Sequence, residues 1–177
     1  MDFTEKTIGT EPIFDGRVIR VRRDTVVLPN GREAKRELIA HPGGVGVIAV
    51  NQKREALMVE QYRIAFKTVL LEVPAGKLEY GEDPLACGMR ELSEETGYEA
   101  GKIQPLGEYY PTPGYCEEKI TLYLATQLRQ GKQHLDQDEF LDVKTMPLDT
   151  LYEMVMRNEI HDAKTAIAVL KTKAILG

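Results

Sequence analysis

The chain has 177 residues, of which 42% are apolar and 29% charged, and its net charge is −5. This composition is typical of one globular domain, or of one domain with a small appendage, and argues against disorder. An acidic chain is a poor candidate for binding nucleic acid through a broad basic face, and no apolar run approaches the ~18 residues of a membrane span. Two cysteines are too few for a secreted disulfide framework, so we expect a cytoplasmic protein.

The first 41 residues predict a β-hairpin. A strand-forming run over residues 17–28 ends at Pro29-Asn30-Gly31, which is a strong turn signal. The partner strand would extend over residues 33–40, after which His41-Pro42-Gly43-Gly44 breaks the pattern. We therefore divide the chain into an N-terminal β segment, residues 1–41, and a main domain, residues 42–177.

The main domain alternates short strands with turns and then adds helices. Strands are predicted over residues 45–50, 56–62, 68–73, 106–110, 120–125 and 140–144. Helices are predicted over residues 84–96, 148–157 and 162–175. Strands outnumber helices and short turns join neighbouring strands, which predicts an α/β fold: a mixed sheet with helices packed on it.

The helix over residues 84–96 carries the most informative pattern. Asp83 is placed to cap this helix before Pro84, and Gly97 lies where helices end in a left-handed residue. A rotation of about 100° per residue groups three apolar side chains into a buried face. These residues are Leu85, Met89 and Leu92.

A second face of the same helix is acidic. Glu91 and Glu95 are four residues apart, and Glu94 lies between them. Like charges at this spacing destabilise a helix by a few tenths of a kcal/mol per pair, whereas a divalent cation would turn the repulsion into a binding site. Carboxylate oxygens suit Mg²⁺ or Mn²⁺, and Arg90 is placed to pair with Glu82 or Glu94. Without further evidence, the three glutamates also fit a solvated charged face.

Residues 76–98 resemble the Nudix hydrolase signature, Gly-x5-Glu-x7-Arg-Glu-U-x-Glu-Glu-x-Gly-U, where U is a bulky apolar residue. The matching positions are Gly76, Glu82, Arg90, Glu91, Leu92, Glu94, Glu95 and Gly97. Tyr98 is an aromatic variant of the last position. The resemblance implies a Nudix α/β/α sandwich with a mixed sheet, and Mg²⁺-assisted hydrolysis of a nucleoside diphosphate linked to another group.

The surrounding sequence is similar to the ADP-ribose pyrophosphatase branch of that family. Pro113 lies sixteen residues after Gly97, and the N-terminal hairpin and Glu60-Gln61-Tyr62-Arg63 also match the branch. The likeness implies a homodimer, formed through the N-terminal segment, that cleaves ADP-ribose or a related nucleoside diphosphate sugar to a nucleoside monophosphate and a sugar phosphate. GDP-mannose or another such sugar remains an alternative substrate, and a sensor that binds ADP-ribose without cleaving it is an alternative of another class.

The resemblance also assigns the residues that bind metal and substrate. The metal ligands would be the backbone carbonyl of Ala75 and the side chains of Glu91, Glu94 and Glu95. The substrate contacts would be Arg36, Arg63, Pro113, Gly114 and Glu118. Read without the resemblance, the two arginines fit surface salt bridges and Pro113-Gly114 fits a type II turn.

The catalytic group would consist of Glu94, Glu95 and a general base from the acidic loop over residues 135–140. Relatives often carry a glutamate where this chain has Gln137, and an amide cannot act as a base. Glu139 occupies another acidic position of the loop and is our first choice for the base. A solvated acidic turn is the alternative interpretation of this loop.

Overall fold

The structure is a computed structural model that describes residues 1–135 and 140–177. Its strands are β1 (Lys6–Asp15), β2 (Arg20–Val27), β3 (Glu33–Ala40), β4 (Gly44–Val50), β5 (Glu55–Arg63), β6 (Thr68–Glu72), β7 (Ala75–Lys77), β8 (Tyr98–Tyr109), β9 (Ile120–Gln130) and β10 (Leu141–Pro147). Its helices are α1 (Pro84–Thr96), α2 (Leu148–Met156) and α3 (Ala163–Leu176). None of these helices is long and apolar enough to cross a membrane.

The chain divides into two compact units, the first of which comprises residues 1–43 and 110–119. It contains an antiparallel sheet in the order β1-β2-β3. The hairpin of β2 and β3 is present as predicted, and its turn places Gly31 at a φ of 82°. The sequence analysis did not predict β1, an edge strand whose ten residues are all exposed.

Residues 110–119 pair with the end of β3 inside this first unit. The Ile39 N–H donates to the Tyr115 carbonyl at 2.8 Å, and the Glu117 N–H donates to the Ile39 carbonyl at 2.9 Å. The Thr112 carbonyl closes the preceding turn by accepting from Tyr115 at 3.2 Å. Gly114 does not have the positive φ that a type II turn requires at this position, so that alternative is wrong.

The second unit comprises residues 44–109 and 120–177 and contains the larger sheet. Its strands follow the order β10-β5-β4-β9-β8, while β6 pairs with β5 and β7 pairs with β4. β4 and β9 run parallel and the other neighbours run antiparallel, which confirms the mixed α/β sheet. β8 is much longer than predicted, and Tyr98, Ala100 and Ile103 in its first half pack against the core between exposed residues.

All residues of β4 are buried. Because successive side chains of a strand point to opposite faces, both faces of the larger sheet are covered at β4. Val45, Val47 and Ala49 belong to one core with residues of α1. Ile48 and Val50 belong to the other core with residues of α2 and α3. This arrangement is the α/β/α sandwich.

The buried face of α1 differs from the prediction. Leu92 is buried, but Leu85 is only half-buried and Met89 is 49% exposed. The residues of α1 that are buried are Cys87, Gly88, Leu92, Glu95 and Thr96. A Cβ at Gly88 would lie 3.0 Å from Val45 Cγ2 and 3.1 Å from Val47 Cγ2. The helix α1 therefore contacts β4 through its smallest residue, and the side of α1 that carries Met89 faces away from this contact.

We expect Gly88→Val to destabilise the protein, because the added side chain has no room between α1 and β4. Overpacking of this kind costs about 1–3 kcal/mol. Ala86→Val is the matched control, since Ala86 is exposed on the same helix and the change should cost only the ~0.5 kcal/mol difference in helix propensity. The free energies of unfolding in urea measure both. Equal losses in the two variants would contradict the close packing at Gly88.

Candidate active site

The acidic helix α1 has the two ends that the sequence predicts. The Asp83 carboxylate accepts a hydrogen bond from the Ala86 N–H at 2.9 Å, and Pro84 is the first helical residue. Gly97 ends the helix with a φ of 73°. These ends place the acidic side chains in the last two turns of α1, against β7 and the start of β8.

Glu91 lies directly over the backbone of β7. A Cβ added at Gly76 would fall 1.9 Å from Glu91 Oε1. β7 is held in turn by its pairing with β4, where Gly76 faces Val45. Only glycine therefore leaves room for this carboxylate, which explains the glycine at the start of the motif.

Glu95 is buried and ties α1 to the same strand. Its side chain is 1% exposed, and Oε2 accepts a hydrogen bond from the Ala75 N–H at 2.9 Å. Glu95 therefore fixes the helix to Ala75, and Glu91 lies over the neighbouring residue, Gly76. The predicted metal ligands thus come from two elements in contact, α1 and β7.

Arg90 connects the remaining carboxylates of the motif. Its Nη1 lies 2.9 Å from Glu91 Oε1 and 2.8 Å from Glu94 Oε2, and its Nη2 lies 3.4 Å from Glu82 Oε1. Burial alone would lower the pKa of Arg90, but the charges of Glu91 and Glu94 outweigh it and raise the pKa. The pairing that the sequence predicted for Arg90 is present with Glu82 and Glu94 alike.

The donor chemistry of the motif fits a hard divalent cation, since carboxylate oxygens are the ligands that Mg²⁺ and Mn²⁺ prefer. The cradle over Gly76 places one of these carboxylates against the strand that carries the predicted carbonyl ligand, Ala75. Across the described parts of the chain, however, no three side chains of His, Cys, Asp or Glu are grouped as a metal site. The assignment of Glu91, Glu94 and Glu95 as joint ligands therefore stays a prediction.

A strap of residues 131–134 is bound to the C-terminal turn of α1. The Gly131 N–H donates to the Gly97 carbonyl at 2.6 Å and the His134 N–H donates to the Glu94 carbonyl at 3.0 Å. The Gln133 side-chain amide donates to the Glu95 carbonyl at 2.6 Å. Nothing in the sequence singled out Gln133. Glu139, the predicted base, and Gln137 lie outside the residues that the structure describes.

Arg63, a predicted substrate contact, is held by a buried carboxylate. Its Nε and Nη2 donate to the two oxygens of Glu72 at 2.6 Å and 2.7 Å, and Lys164 also donates to Glu72. Burial would raise the pKa of Glu72, but the hydrogen bonds and charges of Arg63 and Lys164 lower it. The sequence analysis missed Glu72 and Lys164, which are distant along the chain and belong to no motif.

A surface pocket of about 320 Å³ adjoins this ion cluster. The residues that line it are Tyr62, Arg63, Ile64, Ala65, Phe66, Leu70, Glu72, Asp162 and Lys164. Tyr62 and Phe66 are exposed aromatic side chains. The hydrogen bond from Arg63 to Glu72 raises the pKa of Arg63 and keeps this guanidinium charged beside the pocket.

The other predicted substrate contacts lie in the first unit. Arg36 makes two hydrogen bonds to Glu5, at 2.6 Å and 2.9 Å. Glu118 Oε1 lies 3.7 Å from His41 Nδ1, and Pro113 and Gly114 are exposed in the turn before it. The surface salt-bridge interpretation thus describes Arg36, whereas Arg63 is paired with a buried carboxylate.

Comparison with known proteins identifies the family. The NUDIX domain family matches residues 40–167, and the nucleoside diphosphate sugar hydrolase N-terminal domain matches residues 5–39. A crystal structure of an ADP compounds hydrolase superposes with a TM-score of 0.86 at 19% identity, covering 99% of this chain and 96% of that one. This structural likeness confirms the fold.

Two curated relatives are similar over most of their length. The methanol dehydrogenase activator of Bacillus methanolicus is 46% identical, covering 94% of this chain and 91% of that protein. The ADP-ribose pyrophosphatase of Bacillus subtilis is 43% identical, covering 93% of this chain and 90% of that protein. The chain therefore belongs to the NUDIX family and is a pyrophosphohydrolase, as the resemblance of residues 76–98 implied.

We expect Gly76→Ala to reduce turnover by about 10–100-fold, the usual effect of misplacing groups that orient a metal site. The new methyl group would take the place of the Glu91 carboxylate, which is the end of a flexible side chain and can move without unfolding the protein. The melting temperature should therefore stay close to that of the unchanged chain. Gly9→Ala is the control, because a Cβ there meets only ordinary contacts of 3.8 Å or more. Unchanged turnover in Gly76→Ala would contradict a role for this Glu91 position.

Proposed function

We propose that this chain hydrolyses the pyrophosphate of ADP-ribose or a related nucleoside diphosphate sugar, with Mg²⁺ or Mn²⁺, to a nucleoside monophosphate and a sugar phosphate. The observation that carries the proposal is the placement of Glu91 over Gly76, which builds the Nudix residues into one strand–helix contact. The name of the relative from Bacillus subtilis supports the substrate class.

The side chains of Glu91, Glu94 and Glu95 and the carbonyl of Ala75 would hold the cation. When bound, the cation supplies charge neutralisation for the phosphoryl oxygens and lowers the pKa of a coordinated water. Arg90 keeps Glu91 and Glu94 in place through its hydrogen bonds. Burial of Glu95 and its hydrogen bond to Ala75 hold that carboxylate in a single position.

Arg63 and the aromatic residues beside it are proposed substrate contacts. Arg63 offers a guanidinium fork, which suits phosphate oxygens, and the exposed rings of Tyr62 and Phe66 offer surfaces for stacking on a base. Arg36, Pro113, Gly114 and Glu118 are proposed to contact the substrate on the basis of the family resemblance. In the case of Arg36, an anionic substrate group would replace Glu5 as its partner.

We propose a homodimer formed through residues 1–41. The edge strand β1 is exposed along its whole length, including Ile8, Ile13 and Phe14, which are each at least 50% exposed. Exposed apolar edge strands favour pairing with another chain, and the occupant that we propose is a second copy. We also propose a cytoplasmic location, which fits the two free cysteines, Cys87 and Cys116.

The substrate class is tested by the products released from ADP-ribose, ADP-glucose, GDP-mannose, UDP-glucose and NADH, each with Mg²⁺ and with a chelator. We expect AMP to be released fastest from ADP-ribose, and only with the metal. Faster release of GMP from GDP-mannose would keep the reaction and change the substrate. Binding of ADP-ribose without cleavage of any compound would instead identify a sensor and contradict the proposal.

We propose Glu139 as the general base that removes a proton from the attacking water. Glu139→Gln should then lower turnover by about 100-fold or more, since general bases contribute 10²–10⁴-fold, while substrate affinity stays close to normal. Glu99→Gln, at an exposed position of β8, is the control for loss of one carboxylate. Normal turnover in Glu139→Gln would remove Glu139 from this role.

A further inference from the structure

The cluster around Glu72 places two cations on one buried carboxylate. Glu72 is 1% exposed and accepts hydrogen bonds from both Arg63 and Lys164. The Lys164 side chain is itself only 12% exposed, whereas Arg63 is 39% exposed. Lys164 is therefore the more enclosed of the two cations around Glu72, and Arg63 is the more exposed, although both line the pocket.

The position of Lys164 is fixed by the start of α3. Asp162 caps this helix by accepting from the Thr165 N–H at 2.9 Å, and it lies 3.1 Å from Lys164 Nζ. The Thr165 hydroxyl donates to Asp162 at 2.6 Å and accepts from the Val73 N–H at 2.8 Å. The helix end, Lys164 and the backbone that follows Glu72 are thus one rigid hydrogen-bonded unit.

Some N–H groups of Arg63 are not used in its hydrogen bonds to Glu72. An arginine carries five N–H groups, and the two bonds to Glu72 use only Nε and one hydrogen of Nη2. The other N–H groups have no protein partner among residues 1–135 and 140–177. Since Arg63 also lines the pocket, it can hold Glu72 and an anion at the same time.

The charge balance of the pocket depends on Lys164. The charged residues among those that line it are Arg63, Lys164, Glu72 and Asp162, two of each sign. Without Lys164, the charge of Glu72 would cancel that of Arg63, and Asp162 would leave the cluster with an excess negative charge. An anion would then meet repulsion at the place where Arg63 offers its free donors.

We propose that Lys164 is a positioning residue for phosphate binding: by neutralising Glu72, it keeps Arg63 available to a phosphate or diphosphate group in the pocket. This inference rests on the proposed function, because it takes the anion to be part of a nucleoside diphosphate. In this proposal Lys164, which also lines the pocket, acts on the anion through Glu72 and Arg63.

The test compares three variants by calorimetric titration with ADP in chelator-containing buffer, so that neither metal nor turnover is needed. We expect Lys164→Met to weaken ADP binding about tenfold and Lys164→Arg to bind within about threefold of the unchanged chain. The double variant Glu72→Gln/Lys164→Met restores the charge balance and should recover most of the loss. Lys173→Met is the matched control, because Lys173 lies on the same helix as Lys164 but pairs with Asp149 of α2 and does not line the pocket.

Kinetics with the best substrate of the panel give an independent readout. Lys164→Met should raise KM about tenfold with a much smaller change in kcat. A purely structural role predicts instead that the double variant is worse than Lys164→Met, and that result would overturn the proposal. Wild-type ADP affinity in Lys164→Met would also overturn it, as would failure of the unchanged chain to bind ADP.

Two measurements separate this inference from the proposed function. A chain that binds ADP but cleaves no nucleoside diphosphate sugar would contradict the proposed function, while the ADP affinities would still decide the role of Lys164. If the melting temperature shows that Lys164→Met does not fold, Lys164→Arg and the double variant decide, because neither leaves Glu72 as a buried charge without its second cation.

Discussion

The contact between α1 and β4 is the constraint on which the rest of the site depends. Gly88 allows the helix to approach the strand closely, and the pairing of β7 with β4 then brings Gly76 under Glu91. The helix could not move outward by the width of a methyl group without lifting the carboxylates from the strand. Core packing and site geometry are therefore set by the same approach, and both use glycine because no other residue leaves the space.

A second set of polar contacts fixes the strand side of the site. The start of α3 holds Glu72 through Lys164 and the Val73 backbone through Thr165. Two residues further along, the Ala75 N–H donates to Glu95. A short run of backbone thus links the ion cluster to the acidic helix, and each end is anchored by a buried polar group with satisfied hydrogen bonds. Such networks rigidify a site because every member has a partner.

The sequence predicted those features that have a local cause. The turn at Pro29-Asn30-Gly31 and the two ends of α1 follow from backbone preferences of single residues, and all three were confirmed. β1 was missed because its side chains are exposed and carry no alternation. The pairing of Glu72 with Lys164, 92 residues apart, has no local cause at all. The acidic face of α1 could be predicted as a site only from its resemblance to a family, because three glutamates alone also fit a solvated face.

The strap over residues 131–134 has a consequence for how this chain can be altered. Its hydrogen bonds to the carbonyls of Glu94, Glu95 and Gly97 fix the register of residues 131–134 against the end of α1. An insertion or deletion before Gln133 would break this register, whereas a change in length after His134 leaves these bonds intact. Residues 131–134 therefore constrain the acidic end of α1 from outside the motif, and a change of length within them would reach Glu94 and Glu95 without altering any residue of the motif.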